Sequence, residues 1–321
     1  MKDKKRCLIL GGKGFVGSHL VDALLLQGHH VRIFDRPGTV FLPDACTQHP
    51  NLEVVDGDFA SESDISDAID GCNVCFHLIS TTVPKSSNLD PVFDIETNLV
   101  GTVRMLQHAL LKGVTKIIFM SSGGAIYGPP RELPIPEIHA TNPICSYGIT
   151  KLAVEKYLGL FHELHGLDYA VLRFSNLYGE RQRTLASQGA VAVFLGKALR
   201  GESVDIWGDG TVIRDYLHVS DATGALLAAL DSESTERVFN IGSGLGISLN
   251  EVLAEMEFAL GRKIARSYMS PRAFDVPSSV LAIDRAREIL GWKPTLLFPE
   301  GLKRTLSWME KQNSSSRSVR N

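Results

Sequence analysis

Along the first half of the chain, short apolar runs rich in β-branched residues alternate with longer segments whose apolar positions recur three and four residues apart. The runs Arg6–Leu10, Val31–Phe34, Leu52–Val55, Val74–Ile79, Lys116–Met120 and Tyr169–Arg173 predict strands. The segments Phe15–Gln27, Ser63–Ile69, Asp94–Lys112 and Tyr147–Leu164 predict helices between them. Strand–helix alternation of this kind is expected of an α/β doubly wound parallel sheet, because each crossover lays a helix on one sheet face. Six such strands would occupy residues 1–175. Beyond about Asn176 the regularity fades: strands at Val204–Ile206, Val238–Ile241 and Ile264–Tyr268 mix with helices near Ala190–Leu199, Val219–Leu230 and Leu249–Leu260. This predicts a smaller mixed α/β C-terminal lobe over residues 176–311, and the polar stretch within 312–321 reads as a disordered tail.

A length of 321 residues agrees with two domains, and 44% hydrophobic against 21% charged residues is the composition of a folded globular chain. With 33 basic and 36 acidic side chains the net charge is −3, which offers no electrostatic footprint for nucleic acid or an anionic membrane. No apolar run reaches the ~18 residues of a membrane-spanning helix. The basic start Met1–Arg6 is followed only by Cys7–Leu10 before a glycine cluster, too short for a signal h-region, so a cytoplasmic enzyme with a small-molecule partner is expected. Five scattered cysteines (Cys7, Cys46, Cys72, Cys75, Cys145) read as reduced thiols. Cys72 and Cys75 run into an apolar strand and read as structural, and no metal site is expected.

Between the first strand and the first helix stands Gly11-Gly12-Lys13-Gly14-Phe15-Val16-Gly17. Glycines at such a turn let the backbone approach a pyrophosphate, the helix start offers free N–H groups and partial positive charge, and the last glycine lets helix and strand pack closely. The second strand ends at Asp35, near the ~20-residue spacing at which an acid accepts hydrogen bonds from an adenosine ribose and repels a 2′-phosphate. A Rossmann-type dinucleotide site follows, with Gly11, Gly14, Phe15, Val16 and Gly17 toward the pyrophosphate and NAD favoured over NADP. A turn cap is the other reading of Asp35, and Arg36 beside it would soften the preference by pairing with a phosphate. Asp58, followed by Phe59, reads equally as a contact for the adenine edge and as an acidic turn residue.

The glycine spacing together with Tyr147-Gly148-Ile149-Thr150-Lys151 resembles the extended short-chain dehydrogenase/reductase family, within it the nucleotide-sugar epimerases and dehydratases. Other stretches resemble it in the same order: His77-Leu78-Ile79-Ser80, Asn98-Leu99-Val100-Gly101-Thr102, Ser121-Ser122 with Tyr127-Gly128, Arg173 to Gly179, Arg214-Asp215-Tyr216 with His218-Val219 and Asp221, and Asn240-Ile241-Gly242. They span roughly residues 6 to 310. The resemblance implies further cofactor contacts from Leu78, Ser80, Asn98 and Ser121. Tyr147 and Lys151, four apart on a helix, share a face. A phenol near pKa 10 is a poor base, and an adjacent ammonium with a positive nicotinamide ring is expected to bring it toward neutrality. Tyr147 is then the proton acceptor, and Lys151 also binds the nicotinamide ribose, as in the family.

The family usually carries a third hydroxyl immediately after the pair matched by Ser121-Ser122, where this chain has Gly123. Three readings stand: Ser122 takes over, water fills the gap, or activity is altered; Ser122 is the favoured one. The family's sugar dehydratases place an Asp-Glu pair at this point, and Gly123-Gly124 offers no acid, which argues against a 4,6-dehydratase. By resemblance, Asn176 and Arg214 contact a nucleotide diphosphate, and Arg272 with Asp275 holds phosphate and uridine ribose; a surface ion pair with Asp215 is the other reading of Arg214, and a plain loop between Pro271 and Pro277 that of Arg272 and Asp275. Ser279 stands four residues after Asp275, where relatives confined to unmodified hexoses commonly carry Tyr, which leaves room for an N-acetyl group. The activity implied is NAD-dependent 4-epimerisation of a UDP-hexose, UDP-glucose/UDP-galactose or an N-acetylated form, through a transient 4-keto sugar. A reductase, a decarboxylase and a non-catalytic NAD-binding scaffold are the alternatives. The helices Asp94–Lys112 and Tyr147–Leu164 pair across a two-fold axis in many relatives, which implies a homodimer.

Overall fold

A parallel sheet can carry helices on both faces only where its strands are apolar on both, and β1 (Arg6–Leu10) meets that condition, with Cys7 to Leu10 completely buried. The computed structural model describes residues 4–40, 48–185, 189–271 and 276–318. Around β1 it builds a seven-stranded parallel sheet in the order β10-β6-β5-β4-β1-β2-β3, with β2 His30–Asp35, β3 Leu52–Asp56, β4 Val74–His77, β5 Lys116–Ser122, β6 Asp168–Phe174 and β10 Val238–Ile241. Cys7 and Ile9 point into one apolar layer with Leu20, Leu24 and Leu226; Leu8 and Leu10 point into the other with Met105, Leu106 and Leu158. The helix Phe15–Leu26 buries Val16, Leu20, Val21, Leu24 and Leu25, one stripe at helical spacing, and stops before Gly28, whose φ of +76° suits glycine.

The six expected strands are present, and the doubly wound architecture is observed. Four elements depart from the sequence expectation. Val238–Ile241, expected in the smaller lobe, is the seventh sheet strand, beside β6. The helix Val219–Asp231 packs its alanine and leucine face on the first helix and so returns the chain to the sheet. Asp94–Lys112, expected as one α-helix, is π-helical over Ile95–Val100 and α-helical only over Gly101–Leu111. Gly101 lies so close to Phe59 that a Cβ there would come within 2.9 Å of the ring. The polar residues Gln312–Ser318, expected to be disordered, form the last turns of a helix running from Phe298 to Ser318. Leu302, Leu306 and Met309 anchor that helix in a second core, and extending a formed helix costs little nucleation.

Outside the large sheet, β9 (Ile213–His218) is shared by β7 (Asn176–Tyr178), β11 (Gly246–Ser248) and β13 (Ser278–Ser279), while β8 (Val204–Trp207) pairs with β12 (Arg266–Met269). The second core of Val191, Leu195, Ile206, Tyr216, Leu253 and Leu302 lies against these strands.

A buried ionic network joins the large sheet to the helix Ser146–His165. Arg173 on β6 meets Glu155 on that helix at 2.6 Å, with 6% and 4% of the two side chains exposed. Ser121 Oγ donates to Glu155 at 2.5 Å, Arg173 donates to the Tyr127 hydroxyl at 2.8 Å, and that hydroxyl donates to Asn240 at 2.7 Å. Removing one charge of such a pair strands the other in low dielectric. Glu155→Gln is therefore expected to cost about 3–5 kcal/mol, read as a lower urea midpoint in equilibrium unfolding; an unchanged midpoint would show that the network is not a stabilising element.

Candidate active site

In a parallel sheet all strand C-termini lie on one edge, and a crevice opens where successive strands diverge. Here that point lies between β1 and β4, since the chain passes from β1 outward to β2 and β3 and then crosses to β4 on the other side. The glycine turn after β1 and the Leu78–Ser80 segment after β4 flank it. Gly11 has φ +86°, and a Cβ on Gly17 would sit 2.2 Å from the Gly11 carbonyl oxygen, so both must be glycine. Gly14 is the N-cap of the helix and supplies no side-chain cap, which leaves the N–H groups of its first turn, at Phe15 and Val16, for an outside acceptor. Asp35 accepts from the backbone N–H of Lys13 at 3.0 Å and of Arg36 at 2.9 Å, one bond to each carboxylate oxygen. Further lone pairs stay open on both oxygens. A close-approach turn, an uncapped helix start and a fixed acceptor fit a dinucleotide.

The remaining cofactor candidates divide. Leu78 is half-buried and Ser80 exposed beside the crevice. Arg36 is exposed. Asp58 is exposed and its carboxylate accepts from the Ala60 N–H at 2.9 Å, the bond of an acidic turn residue. The Phe59 ring is buried, 5.3 Å from the His77 ring, and the Ser121 hydroxyl is held by Glu155, so both side chains serve the interior. Asn98 is carried inward by the π-helical turn: its amide donates to Asp94 at 3.0 Å, and its oxygen accepts from the Thr81 N–H at 2.9 Å.

Tyr147 and Lys151 stand at the start of the helix Ser146–His165 and line a small pocket of about 10 Å³ together with His77, Asn98 and Thr150. The helix start is fixed from below by Asp94, which is fully buried and accepts from Ser146 and Thr150 at 2.7 Å each, from Asn98, and from Thr82. Ser87 Oγ accepts from the Tyr147 N–H at 3.0 Å. Asp94 and Ser87 escaped the sequence reading because their partners on this helix lie more than fifty residues away and no local pattern marks them.

Packing around the Tyr147 phenol raises its pKa to about 12, and hydrogen bonding by the Ser122 hydroxyl is the cause that pulls it down. That is the balance in the chain alone, whereas the expectation combined the Lys151 ammonium with a bound nicotinamide ring. Lys151 Nζ lies 5.8 Å from the tyrosine ring centroid and donates to the Met120 carbonyl at 2.9 Å. Burial lowers the Lys151 pKa to about 8, opposed by Glu155 and Asp94, so the ammonium still predominates at pH 7. His77, pushed down to about 3 by burial and by Lys151, stays neutral. At Gly123 a Cβ would come within 2.6 Å of the Leu281 side chain and 3.2 Å of the Arg173 carbonyl oxygen. Leu281, 1% exposed, occupies the space that a side chain at position 123 would need.

The described substrate candidates lie on β9 and on the two strands β7 and β13 that pair with it. Asn176 on β7 is exposed and donates to the Asp215 carbonyl at 3.2 Å. Arg214 donates to the carbonyls of Ile213 and Val276 at 2.8 and 2.7 Å. The Asp215 carboxylate is buried and turned to Ser243, Gly244 and Leu281, whose N–H groups it accepts. Ser279 is the ladder partner of Arg214. Arg272 and Asp275 lie outside the described residues, as does Cys46. Cys7, Cys72 and Cys75 are buried free thiols with pKa values pushed up by burial. Among the described residues no helix is long and apolar enough to cross a membrane.

Comparison with known proteins bears on this arrangement directly. The family model described as the NAD dependent epimerase/dehydratase family matches residues 7–242. The chain is 34% identical over 319 residues to a UDP-glucose 4-epimerase of Mycolicibacterium smegmatis, covering 96% of this chain and 99% of that one. It is 33% identical to a UDP-N-acetyl-alpha-D-glucosaminuronate decarboxylase of Bacillus cytotoxicus, covering 95% and 98%. Among solved structures it is similar to a UDP-glucose 4-epimerase of Thermotoga maritima with UDP-glucose, at 36% identity and a TM-score of 0.90, covering 96% and 99%. The match over the glycine turn, the Tyr147–Lys151 helix and β9 places the chain in the NAD-dependent epimerase/dehydratase family, with NAD as its cofactor.

Proposed function

We propose that the chain is a 4-epimerase of a UDP-hexose. The observation that carries this reading is a proton-transfer group with no accompanying free carboxylic acid among the described residues: Tyr147 meets Ser122 at the crevice, Gly123-Gly124 adds no carboxyl group, and the nearby Asp94 is fully engaged by four hydroxyl and amide donors. Such a site moves a proton on and off one oxygen and cannot expel water by general acid catalysis. The 4-epimerases among the relatives support the same substrate, and the decarboxylase is the second reading, since it shares the whole length of the fold.

In this reading the glycine turn and the first helix hold the pyrophosphate of NAD, Asp35 holds its adenosine ribose, and Lys151 holds its nicotinamide ribose. Bound there, NAD supplies the reversible two-electron acceptor, together with a positive ring charge that opposes the desolvation acting on the phenol. Tyr147 Oη takes the proton of the sugar 4-hydroxyl and returns it when the 4-keto sugar is reduced on its other face, so no net oxidation results. Ser122 orients Oη, filling the role left by Gly123. Lys151, tethered by the Met120 carbonyl, retains two N–H bonds for the ribose. Asn176 and Arg214 hold the diphosphate from β7 and β9, and the hexose is held loosely enough to turn. Arg272 and Asp275 would hold phosphate and uridine ribose from the neighbouring loop.

A second copy of the chain is the proposed partner. The segment Pro91–Leu111 and the helix Ser146–His165 pack side by side. They expose Val92, Phe93 and Ile95 on one and Ile149, Leu160 and Leu164 on the other, apolar side chains that a second copy would cover.

Purified protein incubated with UDP-galactose is expected to yield UDP-glucose with no net NADH and no CO₂; reduced or decarboxylated product would overturn the assignment. Tyr147→Phe should keep NAD bound and lose about 10²- to 10⁴-fold in turnover, and a near wild-type rate would remove Tyr147 as the base. UDP-N-acetylglucosamine should also be epimerised, and Ser279→Tyr should abolish that activity while sparing UDP-glucose, because a phenol ring beside Arg214 fills the space of an N-acetyl group. Wild-type protein that ignores the N-acetylated sugar would show the pocket to be closed by another side chain. Sedimentation at micromolar concentration should give a species of twice 35.1 kDa, and a lone 35.1 kDa species would refute the dimer.

A further inference from the structure

The glycine turn contains a lysine whose role neither the fold nor the proton transfer uses. Lys13 has 10% of its side chain exposed, and its ammonium is paired with Asp56 at the end of β3. Asp56 is the ladder partner of Asp35 in the parallel β2–β3 pair, so the two carboxylates leave the sheet on the same face at neighbouring positions. Like charges so placed repel each other. One ammonium therefore serves two carboxylates, and the structure shows which one takes it. Asp56 receives the Lys13 side chain, while among the described residues Asp35 receives only backbone N–H groups, from Lys13 and Arg36. The formal charge of the trio is −1, and the uncompensated share resides on Asp35.

We propose that the Lys13–Asp56 ion pair determines cofactor specificity, by keeping the ammonium off Asp35 and away from a 2′-phosphate. The inference rests on the reading that Asp35 receives the adenosine ribose. With Asp56 in place, the Lys13 ammonium stays off Asp35, whose carboxylate accepts the ribose hydroxyls of NAD and repels the phosphate of NADP. Without the Asp56 charge, the largely buried ammonium must find another anion. Asp35 and an incoming 2′-phosphate are the two at hand, and a cation on either removes the repulsion that excludes NADP. Asp56, which touches no part of the ribose in this reading, would then set selectivity through Lys13. Arg36, exposed beside Asp35, is left unchanged in every variant so that its own attraction for phosphate cancels in the comparison.

The test is equilibrium binding of NAD and of NADP to the full chain, wild type against Asp56→Asn, Lys13→Met, the double variant and Asp35→Ala. Asp56→Asn should lower the NAD-over-NADP preference about 10-fold, chiefly by tightening NADP, and the double variant should restore the wild-type preference because the freed ammonium is gone. Lys13→Met alone should weaken NADP further, since both carboxylates are then uncompensated. A preference in Asp56→Asn within twofold of wild type, or one altered only through weaker NAD binding, overturns the proposal. So does a double variant that behaves as Asp56→Asn alone, or an NADP affinity that holds or rises in Lys13→Met. Asp35→Ala separates the two failures. If it weakens NAD and admits NADP while Asp56→Asn changes nothing, the ribose reading stands and the ion pair is irrelevant. If it changes neither affinity, Asp35 is not at the ribose and both readings fall.

Discussion

Two buried carboxylates hold the Ser146–His165 helix, and the candidate chemistry depends on that hold. Asp94 accepts from Ser146 and Thr150 at the helix start, so the first turn carrying Tyr147 cannot rotate without stranding a buried charge. Two turns on, Glu155 is bound to Arg173 of β6 and to Ser121 of β5. Lys151 lies between these two anchors and reaches the Met120 carbonyl of β5. A shift of the helix along the sheet would break bonds to two strands at once, which is how a side chain on a long helix is kept within hydrogen-bonding range of the strand ends.

The burial that fixes these groups also sets their protonation. It raises the phenol and lowers the ammonium, the two directions that desolvation imposes on an acid and on a base-derived cation. Tyr147 is thus a neutral phenol in the surroundings built by the chain alone, with Ser122 as the protein group that favours its anion. The chain supplies the placement of the phenol, and in the proposed reading the charge that favours its anion comes with bound NAD.

The same logic explains Gly123. A hydroxyl is usual there in the resembling family, yet Leu281 and the Arg173 carbonyl occupy the space a Cβ would need. Leu281 is itself fixed at the β9 end by its N–H bond to Asp215 and by the bridge to Ile135. The glycine is thus the local consequence of a contact with a residue more than 150 positions away, and Ser122 is left as the hydroxyl that meets Tyr147.

The sequence by itself determined what short-range chemistry encodes. Alternating apolar runs gave the six strands from Arg6–Leu10 to Tyr169–Arg173, because strand and helix periods are local. The glycine turn and Asp35 were legible because backbone approach and ribose binding need fixed residue types at fixed spacing, and Tyr147 with Lys151 through the family resemblance, their spacing adding only that the two share a helical face. Only the tertiary structure decided which strands neighbour each other, and therefore that β10 joins the sheet and the crevice opens between β1 and β4. It also decided that Ser121 turns to Glu155, that Asn98 turns inward on a π-helical segment, and that Lys13 pairs with Asp56 and not with Asp35. The Ser121 and Lys13 contacts rest on partners 34 and 43 residues away. Their pairing is settled by which buried charges and donors the packed chain brings together, a competition that no local pattern records.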